Sequence, residues 1–213
     1  MHSCFRAVNL IHMNNKLANI ISIVFHPIFI PLYGIISLLS LKYFFYFPFL
    51  SKAYIVLLVA MFTCIIPALF LFLLYKANYI DSLSVEKRGQ RHVLYIVSII
   101  SYLVCIYLFW KIRMPVWVIL MSLCITAIML AMFIINFFWK ISIHAAAIGG
   151  FTGGLFFVAY LLYINPVSFF LAALLISALV MAARLQLKVH TAAQVICGYL
   201  LGFFFMAFFP FLM

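Results

Sequence analysis

The stretch Ala183-Arg-Leu-Gln-Leu-Lys-Val-His-Thr-Ala-Ala-Gln194 sets Arg184 six residues before His190, and Gln194 four after it. A guanidinium fork matches two phosphate oxygens at once, so Arg184 suits an oxyanion. An imidazole is a nucleophile when neutral and a proton donor when charged, which suits His190 to group transfer beside that anion. On a helix, residue 194 shares a face with residue 190, where the Gln194 carbonyl can accept a ring N–H but brings no charge. A second stretch, Lys140-Ile-Ser-Ile-His144, offers another imidazole with the Ser142 hydroxyl two residues before it. Ser142 reads both as a helix N-cap and as a further donor to phosphate. A third, Val85-Glu-Lys-Arg-Gly-Gln-Arg-His92, supplies Lys87, Arg88 and Arg91. Charge neutralisation by such cations is most of what phosphoryl transfer asks of a protein.

These groups sit in a chain built to cross lipid. Of its 213 residues, 70% are hydrophobic and 7% charged, and the mean hydropathy is +1.35. A soluble domain is nearer half apolar and a quarter charged, and apolar runs of about twenty residues match the thickness of a bilayer. The expected fold is all-α, a polytopic transmembrane helical bundle of six to seven spans, forming one domain over residues 1–213. Seven candidate spans cover 18–41, 53–75, 93–110, 116–138, 143–163, 166–183 and 191–212. The runs lack the two-residue alternation of a membrane barrel. His26-Pro27 and Pro31 should kink the first span. Gly149, Gly150, Gly153 and Gly154 form two overlapping small-xxx-small pairs, the pattern of close helix packing.

Counting crossings brings the chemistry together. Two spans separate 85–92 from 140–144, and two more lead to 183–190, so all three stretches emerge on one face of the membrane. Thirteen Lys and Arg stand against two acids, a net charge of +11. In loops between spans this charge fits membrane topology and an anionic ligand, not nucleic acid. The five cysteines lack paired spacing for metal or disulfides and read as buried thiols. The chain's two acids could not alone build a magnesium site.

The three stretches, in this order and spacing, resemble the signature motifs of the membrane-bound type 2 phosphatidic acid phosphatase (PAP2) superfamily. The family's third motif is Ser-Arg, five residues, His, three residues, Asp; Arg184 and His190 match it, with Ala183 for the serine and Gln194 for the aspartate. Its second, Pro-Ser-Gly-His, aligns Ser142 and His144 without the proline and glycine. Its first is Lys, six residues, Arg-Pro: Arg91 matches the arginine, His92 replaces the proline, and Ser84 falls at the lysine, whose charge Lys87 or Arg88 supplies. The resemblance spans residues 84–200.

It implies a phosphatase that needs no metal or other cofactor, in which His190 takes the phosphoryl group and His144 protonates the departing alkoxide. Arg184 and Arg91, with Lys87 or Arg88, would hold the phosphate oxygens, and Ser142 would add a hydrogen bond. Gln194 would orient His190 where the family uses aspartate. The expected substrate is a lipid phosphate, a phosphomonoester or pyrophosphate, in contact with membrane lipids. The alternative is a catalytically impaired lipid-phosphate binder or transporter, favoured by Gln194 and Ala183; a haem protein using His26, His92, His144 and His190 would leave the arginines unexplained. The resemblance points to a bacterial inner membrane with the site on its periplasmic face. Loop charge decides nothing on sidedness once the candidate site residues are set aside. The oligomeric state is open.

Overall fold

The computed structural model describes residues 13–80, 88–165, 167–208 and 211. The described residues form helices and no strands, as expected for a chain whose backbone polar groups must be satisfied within each segment when lipid surrounds it. α1 (Asn15–Val24) and α2 (Ile30–Leu39) are followed by a turn over Lys42–Phe44. α3 (Phe49–Val59) and α4 (Ile66–Lys76) make one rod with a π-helical segment, Ala60–Ile65, at its middle. α5 (Arg91–Lys111), α6 (Val116–Asn136), α7 (Ile143–Leu161), α8 (Val167–Gln186) and α9 (Ala192–Phe208) complete the bundle.

Five of these elements are long and apolar enough to cross a membrane: the Phe49–Lys76 rod and α5 to α8. That is the build of an integral membrane protein. It is fewer than the sequence suggests, for reasons at both ends. The segment 18–41 breaks at its prolines, as expected, into two ten-residue helices, neither of which alone is long enough to span. α9 has 17 residues, about 25 Å, and falls just short of the usual spanning length.

Proline accounts for the break in the first segment. Pro27 has no N–H to give the Ile23 carbonyl, and the His26 N–H takes that carbonyl at 3.2 Å instead of reaching back to Ser22. Pro31 then falls in the first turn of α2, where a missing N–H costs nothing. Pro67 is accommodated differently. Its ring would press on the carbonyl of Thr63, and the chain widens into the π segment just before it. The Phe62 carbonyl in that segment accepts from the Ser101 hydroxyl of α5.

α7 is the central helix: 61% of its most apolar stretch is buried, against 22% for α8. Gly149 and Gly153 of α7 lie backbone to backbone against α9, whose Gly198 and Gly202 face back across the contact. A methyl at Gly149 would strike the Tyr199 carbonyl, one at Gly153 the Phe203 carbonyl, and one at Gly202 the Ala146 carbonyl. The second glycine pair makes no such backbone contact: a methyl at Gly154 would meet the flexible Met121 and Met206 side chains at 3.1 and 3.3 Å. A methyl at Gly150 would have no atom closer than 3.7 Å, because that side of α7 faces a cavity.

Candidate functional site

The α7–α9 contact aligns the first turns of the two helices, and with them two of the proposed catalytic side chains. The Ser142 N–H donates to the Gln194 carbonyl at 3.2 Å, tying the entry of α7 to the entry of α9. Thr191 and Gln194 form a capping box on α9. The Thr191 N–H donates to Gln194 Oε1 at 3.1 Å, and the Gln194 N–H to Thr191 Oγ1 at 3.4 Å.

That box settles the protonation pattern of His190. A backbone N–H can only donate, so the Gln194 atom it meets is oxygen and the amide orientation is fixed. The same oxygen lies 3.1 Å from His190 Nδ1, which must therefore carry the proton. The lone pair is left on Nε2. Burial pushes the imidazole down, the Gln194 hydrogen bond pulls it partly back, and Arg184, Arg91 and Lys140 press it further down, to about 4. His190 is thus neutral across the physiological range. The field of those three cations at His190 also locates them around it.

His144, in the first turn of α7, is held by the broken first segment. The Ser22 carbonyl, released because His26 N–H bonds elsewhere, accepts from His144 Nε2 at 3.2 Å. His26 packs edge-on against the same ring, centroids 5.2 Å apart, and its own Nδ1 accepts from the Ile28 N–H at 3.3 Å. In the sequence His26 stands out as a histidine directly before a helix-breaking proline and as one of four possible haem ligands, and neither reading places it against His144.

Arg91 opens α5 with only 7% of its surface exposed. A cation there opposes the positive end of the helix dipole, and burial adds a desolvation cost, so both effects favour an anion beside it. Arg184 sits in the last turn of α8. Arg91, His26, His144, Arg184 and His190 all line one cavity of about 1250 Å³. α5, α7 and α9 begin at this same end of the bundle, so three helix N-termini add to its positive potential.

The remaining candidates part company. Ser142 is fully buried and is not among the residues lining the cavity, and its hydroxyl caps α7 by accepting from the Ala145 N–H at 3.4 Å. Arg88 contributes backbone to a turn over Arg88–Gln90. Lys87, like Ser84, Asp81 and Glu86, lies outside the described residues. His92 meets Asn136 Nδ2 at 3.3 Å and stacks on Phe137 with centroids 4.4 Å apart, a packing role beside the site. Among the described residues no group of three His, Cys, Asp or Glu could hold a metal ion.

Comparison with family models, with curated proteins and with solved structures yields no match.

Proposed function

We propose that this protein is a membrane lipid-phosphate phosphatase that works through a phosphohistidine on His190. The reading rests on one observation: a neutral imidazole with its lone pair on Nε2 and two arginines, Arg91 and Arg184, lie together at the end of a cavity whose other walls are mostly apolar. That is a seat for a phosphate carried on a greasy chain.

In the reaction, Nε2 of His190 attacks phosphorus as the bond to the lipid alkoxide breaks, and His144, protonated at Nδ1 while its Nε2–H stays on the Ser22 carbonyl, gives the alkoxide its proton from Nδ1. Water then attacks the phosphohistidine, returning a proton to His144 and freeing Nε2 with inorganic phosphate. Arg91 and Arg184 hold the non-bridging oxygens throughout, with Lys140 near them and Lys87 or Arg88 as a further cation. Ser142 serves the site through its helix cap. Gln194 keeps Nδ1 protonated, the tautomer role an aspartate fills in catalytic triads, without neutralising the charge that develops on the ring. In the membrane, α1–α2 together form the first crossing and α9 the last, giving seven. The site opens on the periplasmic face of a bacterial inner membrane.

One observation favours a second reading, a non-catalytic lipid-phosphate binder or transporter. Gln194 is fully accounted for by its capping box, so its presence does not require catalysis. The deciding assay is phosphate release from a panel of lipid phosphates by detergent-purified protein, wild type beside His190→Ala. Release by wild type and its loss in the variant support the phosphatase. A folded wild type that binds the lipids and releases nothing refutes it in favour of the binder.

A further inference from the structure

The cavity is far longer than a phosphate site needs. On α7 and its C-cap the lining includes a helical stripe of His144, Ala147, Phe151, Leu155, Val158 and Leu162. From residue 144 to residue 162, at 1.5 Å per residue, this stripe runs about 27 Å. α5 gives the same length independently, since its lining begins at Arg91 and ends at Phe109. The far end reaches Lys42 and Asn165, beside the turns on the opposite side of the bundle. The two arginines and three histidines cluster at one end, Lys42 is the cation at the other, and the wall between is apolar apart from scattered hydroxyls. The whole hydrocarbon core of a bilayer is about 30 Å thick, so a cavity of this length crosses both leaflets.

We infer that the cavity is a channel for the substrate's hydrocarbon chain, and that the ligand is a lipid phosphate whose chain is longer than one leaflet is deep. The phosphate sits at Arg91 and Arg184, and the chain runs inside the bundle toward Lys42. This inference rests on the lipid-phosphate reading of the site and adds where the chain goes and how long it is. The site chooses the end: the phosphate reading places the head group where Arg91, Arg184, His144 and His190 line the cavity. Length chooses the chain: a leaflet-deep acyl chain would reach only about half of 27 Å and leave the far half unfilled. The α7–α9 contact shows that this chain can pack helices with no gap where none is wanted, so the space along the other side of α7 is a built feature.

The test uses the full-length protein in lipid vesicles and a long-chain alkyl monophosphate bearing a photoreactive diazirine at the tail tip. Mass spectrometry then locates the captured residues. The expected capture is at the far end, at Leu41, Lys42, Leu162 or Asn165. Gly34 lines the cavity between the two ends, and a Cβ there would meet open space, so Gly34→Phe folds and plugs the channel. In that variant far-end capture is lost and labelling retreats toward His26 and His144. Capture on the lipid-facing exterior, or an unchanged pattern in Gly34→Phe, overturns the channel. Neither outcome depends on turnover, so phosphate release measured on the same samples judges the phosphatase reading separately.

Discussion

The two sides of α7 make opposite uses of glycine. On one, Gly149 and Gly153 press against α9 so closely that a single added methyl would strike backbone. On the other, Gly150 borders the cavity with ordinary clearance. The difference assigns the two faces different work. The tight face holds the entries of α7 and α9 in register, and so sets His144 against His190. The open face leaves room for what those residues act on. In lipid, where apolar contact between helices gains little over contact with acyl chains, close backbone packing is the means of fixing two helices rigidly.

The contrast breaks most visibly at Gly202. Gly202→Leu drives a side chain into the Ala146 carbonyl and must part the helices, at a cost of about 3 kcal/mol or more. A thermal melt in detergent should drop steeply, and any phosphate release should vanish with it. Gly150→Ala, one residue from the tight face, should leave the melt unchanged or raise it slightly, since alanine gains about 1 kcal/mol over glycine in a helix. Equal damage from both would erase the distinction between the faces.

His190→Ala should separate chemistry from packing. Loss of a nucleophile costs about 10³-fold or more in turnover, while the melt stays near that of wild type because the α7–α9 contact is untouched. Gln194→Glu refines this. Glutamate preserves the capping box and adds the charge that glutamine lacks, so it should raise turnover by about tenfold while lifting the His190 proton affinity above its wild-type level. A fall in turnover with an intact fold would mean that the ring does not build up positive charge in the rate-limiting step.

Acid then probes the same residue. In the fold His190 takes a proton only at about 4, whereas a histidine in the unfolded chain does so near 6.5. The unfolded state therefore binds the proton first as pH falls, and the stability tied to neutral His190 is lost between about 6.5 and 4. Activity limited by this group should hold down to about 4 in wild type. An acid limb centred near 6.5 would contradict the buried, cation-flanked setting of the ring.

Parity of crossings was enough to gather Arg91, Lys140, His144, Arg184 and His190, because it depends only on α5 to α8, whose apolar runs are unambiguous. The glycine stripe of α7 was equally readable, but its partner was not: Gly198 and Gly202 stand alone in an aromatic-rich run, and their role appears only when α9 lies against α7. Cavities leave no periodic mark, since a stripe lining a channel and a stripe packed on a neighbour have the same 3.6-residue repeat. Pro27 marked the break in the first segment, whereas its hydrogen-bond consequence, a released Ser22 carbonyl waiting for His144, belongs to the third dimension.

That carbonyl permits the finest test. Pro27→Ala restores an N–H for the Ile23 carbonyl and lets His26 N–H return to Ser22, which would withdraw the acceptor from His144 Nε2. The fold should tolerate this, because a continuous helix is what the flanking residues otherwise favour. The His144 ring would lose its anchor but keep its neighbour His26, and turnover should fall by about tenfold through misorientation alone. His26→Phe keeps the ring contact and the proline-driven break, so it should leave turnover nearly unaltered. If the two substitutions exchanged these effects, the orienting group would be the His26 imidazole rather than the carbonyl that the proline releases.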